Sequence, residues 1–366
     1  MRVWHFAVLL AIGIAAGIAL PGRLTSLFGA ATLYVFLPAL IFEAAWNLDA
    51  QMVRRAWKPV ALLAAPGVVL TAALVAACVH YFGGFAWSAA LLLGAILSAT
   101  DPVAVVALFR RLPVPRALAA IVESESLFND AVAVVVYRAI VAAVLAGSGA
   151  AQMERVVGFA ALGVIAGILI GAALAYLAAF ALRDAVSAPA QSAATLIGAY
   201  GAYFLADRLG LSGIFAVIAF GIGLRELERR RMSVESASGV ARFWETASIA
   251  ANIVLFFLIG AALDLTRLLH ALPASGVTVA AVLLARAALA YGLLSIVRSH
   301  LKPFWRTVVR MAGIRGALSL ALALATPAAI PQRGLIVDAT FAVVVLTILA
   351  GSLTLRRRIA RLPLET

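Results

Sequence analysis

Side chains that could bind a cation interrupt otherwise apolar stretches of this chain. Thr100 and Asp101 follow one apolar run, and a second run contains Glu125-Ser-Leu-Phe-Asn-Asp130. Within it, Ser126 and the final aspartate lie four residues apart, as do the glutamate and Asn129, so in a helix all four share one side. Carboxylate, hydroxyl and backbone oxygens are hard ligands, which suit an alkali cation better than zinc or copper. The spacing therefore predicts an alkali-cation site and no cofactor.

The composition predicts that membrane-spanning helices position these residues. Of the 366 residues, 65% are apolar and 12% are charged, and the mean hydropathy is +1.08. Soluble domains have roughly 45–50% apolar and 25% charged residues, and disordered chains are poor in large apolar residues. The chain is therefore predicted to be an all-α polytopic membrane protein. The single cysteine, Cys78, excludes an intrachain disulfide and a cysteine-rich metal site.

Twelve segments are apolar enough to be predicted as spans, since a helix needs about 20 such residues to cross the hydrocarbon. Division at charged, proline and glycine clusters places the spans at 3–20, 26–46, 59–82, 86–109, 117–147, 156–182, 190–206, 211–224, 246–263, 273–297, 307–328 and 335–355. Among the predicted connections, only 225–245 is long.

Basic residues are distributed unequally between the two predicted sides of the membrane. Alternate loops carry 20 of the 29 Lys and Arg residues on one side and 5 on the other. The positive-inside rule places both termini in the cytoplasm. Because the net charge of +13 is spread along one membrane face, nucleic-acid binding is not predicted.

Two of the spans are predicted to be broken. Pro102 follows Asp101 and disfavours helical geometry there, so a break is predicted at 100–102. In the eleventh span Gly313 and Gly316 flank Arg315, which predicts a second break. Paired irregular segments in corresponding positions are typical of an inverted-repeat transporter with its site near the midplane.

A transporter is favoured over two other classes of membrane protein. A buried carboxylate is costly unless a proton or a cation neutralises it, so one site can alternate between H⁺ and a metal ion, as an antiporter requires. A cation channel would have several weak sites. An intramembrane enzyme with paired acids would leave the neighbouring Ser, Asn and Thr unexplained.

The motifs resemble those of NhaP-type sodium/proton antiporters, in cation:proton antiporter family 1, the sodium/hydrogen exchanger family. The resemblance covers essentially the whole chain, and besides the Glu125–Asp130 run its segments are Leu37-Pro-Ala-Leu-Ile-Phe-Glu43, Ser98-Ala-Thr-Asp-Pro-Val-Ala-Val-Val-Ala-Leu-Phe109, Phe256-Phe-Leu-Ile-Gly260 and Gly313-Ile-Arg-Gly-Ala-Leu-Ser-Leu320.

The resemblance implies a set of site residues. The cation ligands would be Asp130, Asp101, Ser126, Thr100 through its backbone oxygen, and Glu43. Supporting roles are implied for other residues: an ion pair between Glu125 and Arg315, a structural contribution from Asn129, and the helix break at Pro102.

The resemblance also implies exchange of Na⁺ or Li⁺ for H⁺ at the plasma membrane, with K⁺ as an alternative cation, and no enzyme activity. Exchange would be electroneutral because the motif reads Asn-Asp. A homodimer is implied, in which an ion-binding part (59–147 and 246–355) moves against a scaffold (1–46 and 156–224). Two further expectations concern the ends: no soluble C-terminal domain in 1–366, and one N-terminal helix fewer than in typical members.

Overall fold

The computed structural model describes residues 3–20, 30–101, 105, 109, 114–147, 150–182, 187–229, 234–263, 265–296 and 303–359, which include no β-strand. The helices are α1 Val3–Ala19, α2 Ala30–Asn47, α3 Ala50–Arg55, α4 Trp57–Ala64, α5 Pro66–Gly83, α6 Trp87–Ser98, α7 Arg116–Leu145, α8 Ala150–Ala181, α9 Ala188–Arg208, α10 Gly213–Glu228, α11 Val234–Ala261, α12 Leu265–His270, α13 Leu272–Ala287, α14 Leu294–Ile296, α15 Pro303–Met311, α16 Ala317–Ala325 and α17 Arg333–Ile359. A π-helix, Ala288–Leu293, joins α13 to α14.

Each of the twelve predicted spans overlaps at least one of these helices, so the all-α architecture is confirmed. In the described part of the chain, five helical stretches are long and apolar enough to cross a membrane: Trp57–Gly83, Arg116–Leu145, Arg155–Ala181, Glu235–Ala261 and Leu272–Leu293. The inverted repeat stays a prediction.

The long connection predicted at 225–245 is wrong. Helix α10 continues to Glu228, and α11 begins at Val234. Charged residues such as Glu235 and Arg242 are unfavourable in hydrocarbon but compatible with a helix. The charged residues therefore mark where the apolar segment ends, but the helix continues beyond that point.

The chain divides into two compact units. The first consists of Met1–Ala30, Gln51–Gly147 and Ile253–Thr366. In it α5 packs against α6 and α13, α7 packs against α4 and α6, and α17 packs against α13 and α16. Part of its core consists of the buried residues Leu63, Val122, Leu289, Val308 and Ile314.

The second unit consists of Ala31–Ala50 and Ser148–Asn252. Helix α10 packs against α8 and α9, and Gly171 makes the first of these contacts close, since a Cβ there would overlap the Ala216 carbonyl. Aromatic rings fill the interior, with the Phe42 and Trp244 ring centroids 4.4 Å apart. The assignment of ion-binding and scaffold roles along the chain stays a prediction.

Candidate ion-binding site

Two interrupted helices meet in the first unit. Helix α6 ends at Ser98, and residues 99–101 after it are not helical. Residues 313–316, between α15 and α16, are also not helical. The backbone N–H of Asp101 donates to the Ile314 carbonyl at 2.8 Å. Both predicted breaks are therefore confirmed, and a backbone hydrogen bond joins them. Pro102 lies outside the described residues.

Helix α7 presents its polar face to the first break. The Thr100 backbone N–H donates to Asp130 Oδ1 at 3.1 Å, and the Thr100 and Ser126 hydroxyl oxygens are 3.1 Å apart. Thr100 and Ser126 are buried, whereas Asp101 and Asp130 are partly buried and close enough to interact electrostatically. Four of the five predicted ligands therefore lie together.

The Asp101 carboxylate packs against Gly316. A Cβ at Gly316 would overlap Asp101 Cβ, Cγ and Oδ2. The carboxylate thus lies directly against the backbone of the second break, which explains why the residue there lacks a side chain.

Helix ends and oxygen-bearing side chains surround the breaks. The C-termini of α6 and α15, which carry a partial negative charge, and the N-terminus of α16, which carries a partial positive charge, lie there. The carboxylates of Asp101 and Asp130, the hydroxyls of Thr100 and Ser126 and the carbonyls at the two C-termini form an oxygen-rich environment that suits a hard monovalent cation.

The implied ion pair between Glu125 and Arg315 is wrong, because Glu125 pairs with Arg286. Arg286 Nη1 donates to Glu125 Oε1 at 2.8 Å, and Nη2 donates to Oε2 at 3.1 Å. Both side chains are buried. Arg286 also donates to the Val309 carbonyl from Nε at 3.1 Å and from Nη2 at 2.8 Å. It therefore joins α7 to α15.

Asn129 contacts the Glu125 side chain of this pair. Its Nδ2 donates to Glu125 Oε1 at 3.3 Å, which agrees with a structural contribution. No partner for Arg286 was predicted from the sequence. An arginine within an apolar span needs an acid or carbonyl oxygens as its partner, and this requirement could have indicated the pair.

Arg315 has a different environment. Its backbone N–H donates to Thr347 Oγ1 at 3.2 Å, and its Nη1 donates to the Gly313 carbonyl at 3.3 Å. The side chain is buried, and among the described residues its Nε has no hydrogen-bond partner. Arg315 therefore stabilises the second break and places a positive charge near Asp130 and Glu125.

Glu43 lies in the second unit, unlike the other four predicted ligands. It is partly buried on α2, where Asn47 Nδ2 donates to its Oε1 at 2.9 Å. Its role as a ligand stays a prediction.

Comparison with known proteins shows the family and the fold of the chain. The family described as "Sodium/hydrogen exchanger, transmembrane" matches residues 3–358. The chain is 37% identical over 333 residues to the low-affinity Na⁺/H⁺ antiporter NhaS1 of a Synechocystis species, covering 87% of this chain and 62% of that protein. It is 36% identical over 351 residues to the Na⁺/H⁺ antiporter ApNhaP of Aphanothece halophytica, covering 93% and 66%.

The chain thus spans slightly less than two thirds of the length of these two relatives. Its fold is that of the sodium proton antiporter MjNhaP1 from Methanocaldococcus jannaschii, with a TM-score of 0.80 at 21% identity, covering 95% of this chain and 92% of that one. By the family match over nearly its whole length, the chain belongs to the sodium/hydrogen exchanger family.

Proposed function

We propose that this protein exchanges one Na⁺ for one H⁺ across the plasma membrane, as a homodimer, by alternating access. The observation that carries the proposal is the position of Asp130, whose carboxylate accepts the Thr100 N–H at a helix break and lies beside Asp101. When Na⁺ binds from one side of the membrane, Asp130 releases its proton to that side. After the site opens to the opposite side, Na⁺ leaves and the carboxylate takes up a proton from that same opposite side.

The charges around the site support one-for-one exchange. Three acids, Asp101, Asp130 and Glu125, lie near two arginines, Arg286 and Arg315. The net charge of these five side chains is −1, which a single Na⁺ or a single proton neutralises. Asn129 is uncharged and does not alter this sum.

Na⁺ is the proposed cation because relatives that share about a third of their residues with this chain are named as Na⁺/H⁺ antiporters. The oxygen ligands would also accept Li⁺ or K⁺, since selectivity depends on the size and rigidity of the cavity.

Proton movement in proteoliposomes tests the proposal. The purified protein is reconstituted with a pH-sensitive dye in the lumen, the membrane potential is clamped at zero, and Na⁺, Li⁺ or K⁺ is added outside. We expect Na⁺ to make the lumen alkaline with wild-type protein and to have no effect with Asp130→Asn, because an amide cannot exchange a proton at neutral pH.

The matched control is Asp49→Asn, which neutralises an exposed aspartate and should retain the wild-type rate. Wild-type flux from Asp130→Asn, or no response of the wild type to any cation, would overturn the proposal. A response to K⁺ alone would keep the exchange mechanism and change its substrate.

The homodimer is tested separately. Helix α8 exposes large apolar side chains, including Phe159, Leu169 and Phe180, which lipid or a second copy has to cover. Chemical cross-linking in native membranes should give a species of twice the chain mass, and a monomer at every cross-linker concentration would contradict it.

A further inference from the structure

Gln332 has a strained backbone at the start of α17. Its φ is 55°, and among the described residues it alone has a positive φ without being glycine. Residues other than Gly, Asn and Asp seldom adopt this conformation, and when they do, surrounding contacts hold them there. Its carbonyl accepts from Ile336 N at 3.1 Å and so begins α17.

The side chain of Gln332 binds the turn before α6 through both ends of its amide. Oε1 accepts from the Ala86 backbone N–H at 2.7 Å, and Nε2 donates to the Gly84 carbonyl at 3.1 Å. Since α6 begins at Trp87, Gln332 fixes the end of α6 that lies away from the ion-binding break.

The next residue, Arg333, fixes the corresponding end of α16. Its Nε donates to the Thr326 carbonyl at 2.6 Å, and its Nη2 donates to the Leu324 carbonyl at 2.9 Å. The last carbonyls of a helix lack partners within it, and an arginine that binds them also suits the negative end of the helix dipole.

The C-terminal end of α16, which Arg333 binds, also contacts α7, the helix that carries Asp130. Tyr137 donates to Thr326 Oγ1 at 3.4 Å, and Tyr137 lies seven residues after Asp130, on the same face of α7. Three elements that form the candidate site, α6, α7 and α16, therefore meet again at Gln332, Arg333 and Thr326.

We propose that Gln332 and Arg333 form a clamp that sets the spacing of the two half-helices α6 and α16 and thereby positions Thr100, Asp101 and Gly316. The clamp touches none of these residues. It acts through half-helices of 12 and 9 residues, about 18 and 14 Å long, and its effect on transport rests on the proposed function.

Two substitutions remove the clamp in different ways. Gln332→Gly keeps the backbone conformation accessible and removes both hydrogen bonds, whereas Arg333→Met keeps the length of the side chain and removes its donors. We expect each to raise the KM for Na⁺ in proteoliposomes about tenfold, since a misplacement of about 1 Å costs up to ~10²-fold, with a smaller change in maximal rate. Arg333→Lys should recover part of the loss, because an ammonium also donates to helix C-terminal carbonyls.

A second measurement does not depend on transport. Hydrogen exchange of peptides that contain residues 97–101 and 314–318 should be faster in Gln332→Gly and Arg333→Met than in wild type. The control, Arg208→Met, removes an exposed arginine at the end of α9 and should change neither exchange nor KM.

The outcomes separate the clamp from the proposed function. If wild type moves no protons with any cation, the exchange proposal fails, and faster hydrogen exchange at both breaks still supports the clamp. Unchanged exchange at both breaks in the two variants overturns the clamp. A uniform loss of stability with unchanged KM, or no recovery with Arg333→Lys, also overturns it, since either result indicates general packing.

Discussion

The two units differ in where their buried polar side chains form hydrogen bonds. In the first unit, Asp101 and Arg315 lie where helices are interrupted, and the side chains of Asp130 and Arg315 form hydrogen bonds with backbone groups of the breaks. In the second unit, the buried Trp244 donates to Thr195 Oγ1 at 2.9 Å between helices that continue past them. A polar substitution at the breaks of the first unit should therefore alter both ion binding and stability, whereas one at the contact between Trp244 and Thr195 should alter stability alone.

The largest expected effect in this comparison comes from Arg286→Met. The substitution leaves Glu125 buried without its charged partner, so the free energy of unfolding should fall by about 3–5 kcal/mol. Denaturation in detergent measures it, with Arg208→Met as control. The double variant Glu125→Leu with Arg286→Met should recover part of the loss. A single variant as stable as wild type would contradict the role of the pair.

A smaller loss of stability, with a larger effect on binding, is expected for Gly316→Ala. The new Cβ displaces the Asp101 carboxylate, so overpacking should cost about 1–3 kcal/mol and the KM for Na⁺ should rise. The control in the second unit is Gly201→Ala, where a Cβ would meet nothing within 4 Å. Its alanine should raise the stability of α9 by about 0.5–1 kcal/mol. Equal KM values for Gly316→Ala and wild type would show that the carboxylate does not need this space.

The smallest effect is expected for Trp244→Phe in the second unit. It removes one buried hydrogen bond to Thr195 and part of a buried ring, so stability should fall by about 1–2 kcal/mol while the KM for Na⁺ is unchanged. Trp57→Phe, at an exposed position, should leave stability within about 0.5 kcal/mol of wild type. A change in KM with Trp244→Phe would end the distinction between the two units.

Local chemistry was enough to predict both helix breaks and the polar face of α7. Proline after Asp101 restricts the backbone, whereas the glycines around Arg315 weaken a helix because they leave the backbone free to adopt other conformations. The four-residue spacing between Ser126 and Asp130 is a property of the helix itself. Each of these features depends on residues close together in the chain, which a sequence displays directly.

Partners across helices could not be predicted in the same way. Which arginine reaches Glu125 depends on how α7, α13 and α15 pack, and the spacing of charges along one helix does not report that packing. The clamp at Gln332 and Arg333 was missed for a related reason, since a glutamine and an arginine after a proline are typical of an ordinary loop. The start of α11 was missed because hydropathy reports the membrane boundary and not the helix boundary.

The hydrogen bond between Asp101 N and the Ile314 carbonyl also bears on biogenesis. Its donor and acceptor belong to segments that are far apart in the chain, so it can form only after ribosomal synthesis has passed residue 314 and the eleventh predicted span has been inserted. Spans four and five enter the membrane well before that. Completion of the ion site is therefore a late step in assembly, and chains truncated before this point would be inserted without ever forming it.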